Sequence, residues 1–329
     1  MECTGGWPLE LETSRGNDQC VGISARELAK VYPNGTKALG GVSFDIPVGT
    51  IAGYLGPNGA GKTTTIHILS TVQKPTHGEA RVCGFDVVRD RGRVRECVGL
   101  ATQDICLDWL VSVRANVEFF GQMFGKTRRE VRLESSRLLA EFELDGKRAD
   151  SAWSLSGGQK RRLQLVIALM KHPRVLFADE PSLGLDPLAK RVLHNALVGV
   201  ASSGTTIMYA SNDMTDLERL CQSVIFLRRG QLVGAGSTQS FVQQHGGGTS
   251  ITVECNAPIR QELLADLTEQ WDVEVVGKSP LRWIETRDQI SYPSIAKWLI
   301  EYGVELRDIQ VRRPTLEDAF LRLVEETEE

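Results

Sequence analysis

The chain has 329 residues, which is too long for one small hydrophobic core and predicts about two domains. Lys and Arg number 38 against 42 Asp and Glu, for a net charge of -4, so a nucleic-acid-coating protein is not expected. No apolar run approaches the ~18 residues of a membrane span, and no secretory signal opens the chain, so a cytoplasmic protein is expected. Seven scattered cysteines lack a metal-binding spacing and fit reduced thiols.

The pattern of apolar residues divides the chain into four segments. Residues 1–22 have no apolar periodicity, and we expect a poorly ordered tail. Residues 23–245 alternate short strands with helices, which predicts an α/β domain, and the Gly-rich run 246–250 predicts a linker. Residues 250–325 have the order strand, helix, strand, strand, helix, strand of a ferredoxin-like α+β domain. Because no cluster of catalytic residues occurs there, we expect this domain to be an interaction or stabilising module.

A phosphate-binding pattern follows the apolar strand Ile51–Leu55. The match to GxxxxGK[ST] and its next residue comprises Gly56, Pro57, Asn58, Gly59, Ala60, Gly61, Lys62, Thr63 and Thr64. Glycines let backbone N–H groups converge on phosphates, and the following helix directs its positive end at them. Lys62 is expected to reach the β- and γ-phosphates, and the Thr63 hydroxyl suits Mg²⁺. The loop predicts binding of a nucleoside triphosphate.

A second candidate anion site opens the helix expected at 160–171. Its residues are Ser156, Gly157, Gly158 and Gln159. Ser and Gly at a helix start leave N–H groups available to an anion. Because one triphosphate does not need both loops of one chain, we expect two copies arranged head to tail, each completing the other's site. The basic run 160–162 either adds positive potential toward phosphate or forms a solvated or salt-bridged face.

An acidic pair ends the apolar strand expected at 174–178. Asp179 and Glu180 lie at the carboxyl end of this strand, where parallel sheets place their ligands. Asp179 is predicted to hold the Mg²⁺ shell, and Glu180 to polarise the water that attacks the γ-phosphate. We expect Pro181 to keep Glu180 in an extended conformation.

Together these motifs resemble the ATPase subunit of ATP-binding cassette (ABC) transporters over about residues 23–242, with 155–159 as the LSGGQ signature. The resemblance implies a P-loop NTPase cassette, with a RecA-like core, a helical subdomain at about 104–172 and an antiparallel β subdomain. It implies ATP and Mg²⁺ as cofactors. By matching position, Tyr32 resembles the aromatic residue that stacks on adenine, although it could also be only a turn residue. Gln103 resembles the Q-loop glutamine, which contacts nucleotide and metal, and 182–186 resembles the D-loop that crosses the dimer contact.

The segment 311–320 resembles the C-terminal extension of daunorubicin-resistance-type exporter ATPases. The resemblance implies separate transmembrane permease subunits, export of a drug, antibiotic or lipid-like compound, and a peripheral location on the inner face of the cell membrane. The second protomer of the head-to-tail dimer would be another copy or a homologous ATPase. Three aromatic residues of the helical subdomain either line the groove for the membrane partner or pack in the core, namely Phe119, Phe120 and Phe124.

One position departs from the family pattern. The family usually has a histidine that contacts the γ-phosphate where this chain has Asn212. Asparagine can donate a hydrogen bond to phosphate but cannot take a proton or carry charge. Either Asn212 still positions the phosphate for catalysis, or the chain is a degenerate ATP-dependent dimerisation switch or the regulatory half of a heterodimer. We expect the first, because Lys62, Asp179 and Glu180 are intact.

Overall fold

The computed structural model describes residues 21–256, 259–271, 273–278, 281–285 and 292–326. The chain divides into two compact units, with the division between Ala235 and Gly236. This division precedes the linker expected at 246–250, because the second unit includes the helix Thr238–His245. Of the expected tail 1–22, only Val21 and Gly22 are described, and both belong to a strand. The rest of the tail lies outside the described residues.

The first unit is a mixed α/β unit. In chain order its elements are β1 (Val21–Val31), β2 (Lys37–Pro47), β3 (Ile51–Leu55), α1 (Lys62–Leu69), β4 (His77–Val82), β5 (Phe85–Asp86), α2 (Arg91–Cys97), β6 (Val98–Ala101), α3 (Val113–Met123), α4 (Arg128–Glu141), α5 (Gly157–Leu169), β7 (Val175–Asp179), α6 (Pro187–Ser202), β8 (Thr206–Ser211), α7 (Met214–Leu220), β9 (Ser223–Arg228) and β10 (Gln231–Ser237). The last two residues of β10 lie past the division between the units.

The central sheet positions the motifs. Its strand order is β10-β9-β3-β8-β7-β6, and β3 pairs in parallel with β8, as does β7. Every residue of β3, β7 and β8 is buried, as expected for strands covered on both faces. Leu55 lies opposite Ser211, and Asp179 opposite Ala210. The phosphate loop, the acidic pair and Asn212 therefore all lie at the carboxyl ends of neighbouring strands, on the same side of this sheet.

An antiparallel sheet and a helical segment complete the first unit. The sheet has the order β2-β1-β4-β5, and its inner residues share a hydrophobic core with the central sheet. Phe44 of β2 packs against Tyr54 of β3 with ring centroids 5.6 Å apart. Between β6 and β7 the chain forms α3, α4 and α5, where the helical subdomain was expected. A capping box between Thr127 and Glu130 begins α4.

The second unit is an α+β unit. Its elements after β10 are α8 (Thr238–His245), β11 (Thr249–Cys255), α9 (Gln261–Trp271), β12 (Val273–Lys278), β13 (Leu281–Glu285), α10 (Tyr292–Glu301), β14 (Leu306–Arg312) and α11 (Leu316–Glu326). The strands pair antiparallel in the order β12-β13-β11-β14. Trp283 is fully buried in the core with Ile251 and Leu267. The predicted order of strands and helices is confirmed.

Candidate functional site

The phosphate loop joins β3 to α1 and needs glycine at two positions. A Cβ atom at Gly56 would lie 2.2 Å from the carbonyl oxygen of Leu227. Gly61 has a φ of 108°, and a Cβ atom there would lie 2.6 Å from the carbonyl oxygen of Ala38. A side chain at either position would clash with backbone, so the loop's path depends on both glycines. The exposed residues of the loop are Pro57, Asn58 and Gly59.

The first turn of α1 contacts the acidic end of β7. The Thr63 hydroxyl donates a hydrogen bond to Asp179 Oδ2 at 2.7 Å. Lys62 Nζ donates to the Gly56 carbonyl oxygen at 2.6 Å and lies 3.4 Å from Glu180 Oε1. Lys62 and Glu180 are only 7% and 6% exposed. The structure thus brings together four of the residues predicted to act on the phosphates and the metal.

Asp179 is a buried carboxylate with unused acceptor capacity. It is 2% exposed, and Oδ1 has no hydrogen-bond partner. Burial raises the pKa of Asp179, although the hydrogen bond from Thr63 and the charge of Lys62 oppose the rise. An uncompensated buried carboxylate is costly unless it is paired or coordinates a metal. This arrangement provides two oxygen atoms, one anionic, where a hard cation would be stabilised.

The expected extended conformation of Glu180 is wrong. Glu180 has a φ of 49°, which is the left-handed region. Its backbone N–H donates to the Ala210 carbonyl oxygen at 2.9 Å, so pairing with β8 continues beyond Asp179. Its carboxylate lies near Lys62 and accepts a hydrogen bond from the Ser211 hydroxyl at 3.4 Å. Positive φ in a residue other than glycine is uncommon and concentrates at functional sites.

The loop after β8 carries Asn212, which is exposed. Its neighbour Asp213 caps α7 by accepting from the Asp216 backbone N–H at 3.2 Å, and its own N–H donates to the Ser211 hydroxyl at 3.0 Å. Lys190 Nζ, on α6, lies 2.5 Å from Asp213 Oδ2 and 3.1 Å from Asp216 Oδ2. Burial opposes the effect, but the hydrogen bond from Lys190 holds the pKa of Asp213 below its usual range. Asn212 therefore lies on a loop that Lys190 of α6 holds through Asp213. The sequence pattern did not indicate this connection.

Tyr32 follows β1 and reaches the helix of the phosphate loop. Its hydroxyl lies 3.2 Å from Thr64 Oγ1 and donates to Gln73 Oε1 at 3.0 Å. The Lys30 ammonium lies 5.4 Å from the ring centroid. Tyr32 is thus tied to the first turn of α1, and its contact with the adenine base stays a prediction.

The signature motif begins α5 and caps itself. The Ser156 hydroxyl accepts from the Gln159 N–H at 3.3 Å, and Gln159 Oε1 accepts from the Ser156 N–H at 2.9 Å. Ser156 and Gly157 are exposed. Among the described residues, no hydrogen bond or ion pair joins the four signature residues to the phosphate loop.

Comparison with known proteins decides the family. The model of the ABC transporter family matches residues 39–183. The daunorubicin resistance ATP-binding protein DrrA3 of Streptomyces coeruleorubidus is 32% identical over 292 residues, which cover 87% of this chain and 91% of that protein. The chain belongs to the ABC transporter ATP-binding subunits. It is an ATP-binding and ATP-hydrolysing subunit of the drug-exporter type.

Two further similarities agree with this assignment. The Nod factor export ATP-binding protein I of Paraburkholderia xenovorans is 34% identical over 284 residues, which cover 86% of this chain and 90% of that protein. A dimeric ATP-binding cassette in a post-hydrolysis state, solved with ADP and Pi, aligns with a TM-score of 0.61 at 24% identity. That alignment covers 65% of this chain and 98% of the solved one, and it confirms the cassette fold.

Gln103 of the ABC subunit is exposed just after β6. Its carbonyl oxygen accepts from Arg161 Nη1 at 3.4 Å. Burial lowers the pKa of Arg161, and the nearby charges of Glu180 and Asp179 oppose that shift. In the described part of the chain, no hydrogen bond joins the Gln103 amide to Thr63 or Asp179, so its metal role stays a prediction. In the sequence, Arg161 was indicated only by the basic run after the signature.

The other two basic residues of that run contact neighbouring side chains and backbone, and Arg162 Nη1 lies 3.8 Å from Glu143 Oε2, in agreement with the salt-bridged alternative. Arg162 is buried and donates to the Phe142 carbonyl oxygen at 2.9 Å. The Lys160 ammonium lies 5.1 Å from the ring centroid of Trp109 and 5.6 Å from that of Trp153. These contacts connect the start of α5 to the helical segment. In the part of the chain that the structure describes, no helix combines the length and hydropathy of a membrane span.

Proposed function

We propose that this ATPase binds Mg-ATP between two protomers and powers export of a drug, antibiotic or lipid-like compound through separate membrane subunits. The observation that carries the proposal is the contact of Lys62 and Thr63 with the buried pair Asp179 and Glu180. Relatives named for daunorubicin resistance and for Nod factor export support the cargo class.

The residues at the end of β7 fit a magnesium ion. Asp179 Oδ1 is buried and unpartnered beside the Thr63 hydroxyl, and both are hard oxygen donors of the kind that Mg²⁺ prefers. No cluster of three or more His, Cys, Asp or Glu side chains able to hold a metal occurs among the described residues. Two protein oxygens suffice, since Mg²⁺ usually takes its other ligands from phosphates and water. When bound, Mg²⁺ would neutralise phosphate charge, and Gln103 is a further candidate ligand.

The exposed start of α5 supports a head-to-tail dimer. Ser156 and Gly157 are exposed at the positive end of a helix, with no phosphate loop of the same chain against them. A second copy, or a homologous ATPase, would bring this surface onto the γ-phosphate held by Lys62. The D-loop, 182–186, runs from Glu180 to the N-cap of α6 and would cross the same contact.

Each catalytic side chain has a specific task in this proposal. Lys62 would exchange the Gly56 carbonyl oxygen for phosphate oxygens, and Asn212 would donate its amide to the γ-phosphate. Glu180, held between Lys62 and Ser211, would orient the attacking water and accept its proton as the β–γ phosphoanhydride bond breaks. Tyr32 would contact the base.

An exposed apolar surface on α3 is a candidate contact for the membrane subunits. Phe119 and Met123, one helical turn apart, are 60% and 65% exposed. Phe120 packs edge-on against Phe119 at 5.4 Å, and Phe124 lies 6.4 Å from Phe120. Phe119 therefore fits the interpretation that it lines a groove for the membrane subunits, whereas Phe120 and Phe124 pack beneath it. Docking there would place the ATPase on the inner face of the membrane.

The test is Glu180→Gln, which keeps the shape but removes the base. We expect ATP hydrolysis to fall about 100-fold or more, the usual contribution of a general base, while ATP-dependent dimerisation persists. The matched control is Glu141→Gln, which removes a carboxylate paired with Arg137 on α4. Hydrolysis at the wild-type rate in Glu180→Gln would show that the base assignment is wrong.

Asn212 motivates the second candidate, a binding switch with weak turnover. ATPase assays with and without the membrane subunits separate the two functions. A switch would dimerise with ATP yet show no turnover in either assay, whereas a motor would show turnover that the membrane subunits change.

A further inference from the structure

The segment that follows β6 carries Gln103, and the side chain of a buried glutamine holds it. Gln164 lies on α5 and is 8% exposed. Its Nε2 atom donates to the Thr102 hydroxyl oxygen at 3.1 Å and to the Asp104 carbonyl oxygen at 2.8 Å. One amide group therefore binds the residue on each side of Gln103.

The hydrogen bonds of this segment require a donor from α5. The Thr102 hydroxyl itself donates to the Asp104 carbonyl oxygen at 2.7 Å, so its oxygen is left to accept from Gln164. The Asp104 carbonyl oxygen can only accept. The two N–H groups of one amide satisfy both acceptors, whereas a carboxylate or an apolar side chain would satisfy neither. Packing alone therefore does not explain a glutamine at position 164.

The same helix supplies a second donor to this segment. Arg161 precedes Gln164 by three residues, so both side chains lie on one side of α5. Arg161 Nη1 donates to the Gln103 carbonyl oxygen at 3.4 Å. The helix that begins at the signature therefore holds three consecutive residues, 102–104, while Gln103 itself is exposed.

These hydrogen bonds lower the cost of using Gln103 as a ligand. Gln103 lies in the connection between β6 and α3, which contains no helix or strand. A loose connection would lose conformational entropy when one of its side chains binds a ligand. Holding the backbone in place beforehand removes part of that loss and so strengthens binding. Gln164 can therefore raise the affinity for whatever Gln103 binds without touching it.

We propose that Gln164 is a positioning residue, which holds the segment 102–104 so that the Gln103 amide is available to the Mg²⁺ of Mg-ATP. This inference rests on the proposed function, in which Gln103 is a candidate metal ligand. Groups that orient a ligand without touching the metal usually change metal affinity by about 10- to 100-fold. Gln164 therefore acts on the metal-dependent part of nucleotide binding and leaves the contacts of the phosphate loop unchanged.

The test measures binding of the non-hydrolysable ATP analogue AMP-PNP to the whole chain by isothermal titration, once with Mg²⁺ and once with EDTA. Gln164→Met keeps the side-chain length and a high helix propensity but removes both donors. We expect the Mg²⁺-dependent gain in affinity to fall about tenfold, whereas the affinity in EDTA stays that of the wild type. Thr102→Val removes the accepting hydroxyl and should give a smaller loss of the same kind. The double variant should match Gln164→Met, because both changes act through one segment.

Gln222→Met is the matched control. Gln222 Oε1 accepts from the Ile51 N–H at 2.7 Å, at the end of β3 opposite the phosphate loop. The control therefore removes a glutamine hydrogen bond away from the motifs, and both affinities should stay at the wild-type values. An equal loss of affinity with Mg²⁺ and with EDTA in Gln164→Met would show general damage to the site and overturn the inference. Thr102→Val keeps the test decisive if Gln164→Met does not fold.

Gln103→Ala separates this inference from the proposed function. We expect it to lose the Mg²⁺-dependent gain at least as fully as Gln164→Met does. If Gln103→Ala loses the gain and Gln164→Met retains it, Gln164 does not position Gln103, and the proposed metal role of Gln103 stands. If Gln103→Ala retains the gain, the metal role of Gln103 is wrong, and the inference about Gln164 is overturned with it.

Discussion

The phosphate loop and the signature helix both present backbone N–H groups to an anion, but they differ in what surrounds them. Lys62 and Thr63 contact Asp179 and Glu180 within the same chain, and most of these side chains are buried. Ser156, by contrast, is exposed and its hydroxyl is occupied by the helix it caps. One region is an assembled site, whereas the other is a helix start that no phosphate-binding loop contacts within the described part of the chain.

The difference indicates how the two regions would be used. A buried charge cluster is preorganised and favours positioning of a phosphate before any second molecule arrives. An exposed helix start can bind an anion only when another surface brings the anion to it. ATP binding is therefore expected from the single chain, and efficient hydrolysis only from the dimer.

The strongest test of this comparison mixes two inactive variants. Lys62→Ala disables the phosphate loop and Ser156→Arg blocks the signature, so each alone should lose nearly all ATPase activity. In a mixed head-to-tail dimer, one composite site has an intact phosphate loop and an intact signature. With random mixing, roughly a quarter of the wild-type rate should return, because half of the dimers are mixed and each has one working site.

The control mixes Lys62→Ala with an equal amount of a double variant that carries both Lys62→Ala and Ser156→Arg. Because neither protein has an intact phosphate loop, no composite site in this mixture can work. ATP hydrolysis is measured over a range of total protein concentrations. If the two single variants restore nothing when mixed, the loop and the signature of different chains do not share one site.

Local sequence patterns made one part of the assembled site predictable and left another part hidden. The runs that form β3 and β7, and the GxxxxGK[ST] loop, are continuous in sequence. Their structure, and the position of the motifs at the carboxyl ends of the strands, therefore followed from the sequence alone. The left-handed Glu180 contacts Lys62 and Ser211 through its carboxylate, and both residues are distant in sequence. The contact of Lys190 with Asp213 likewise has no periodic signal, since it joins α6 to the start of α7.

Asp179→Asn sharpens the comparison by asking whether the assembled site is costly without its ligand. Burial raises the pKa of Asp179, so above that pKa the folded chain holds buried a charge that the unfolded chain holds in water, and this destabilises the folded state. Without nucleotide at pH 7, we expect the variant to be more stable by about 1 kcal/mol. Mg-ATP should no longer raise its melting temperature, and ATPase activity should be lost.

The pH dependence of ATP binding to the wild-type protein tests the raised pKa of Asp179 in a second way. Mg²⁺ needs the ionised carboxylate, so the Mg²⁺-dependent gain in ATP affinity should disappear as pH falls toward the raised pKa, earlier than for an ordinary Asp. Isothermal titration from pH 7 downward measures this. An Asp179→Asn variant that is less stable at pH 7, and wild-type binding unchanged down to pH 4, would contradict the assignment.

Lys190→Met tests whether the loop of Asn212 belongs to the assembled region. The change leaves Asp213 and the buried Asp216 without their cation, so we expect a loss of about 1–2 kcal/mol in unfolding free energy. It should also lower kcat about fivefold with little change in KM for ATP, because it loosens a positioning loop. Lys190→Arg should keep most activity. Lys147→Met, which removes an exposed pair with Asp150, is the matched control and should change neither quantity.

Asn212→His gives the smallest expected effect and asks whether Asn212 itself contacts the γ-phosphate. Because Asn212 is exposed after β8, an imidazole fits without repacking a core. Histidine keeps a hydrogen-bond donor and adds a charge at lower pH, so kcat should equal or exceed that of the wild type, with the larger gain below pH 6.5. Asn212→Ala removes the donor and should lower kcat. If Asn212→His lowers kcat clearly while its melting temperature is unchanged, Asn212 does not occupy the position of the phosphate-contacting residue.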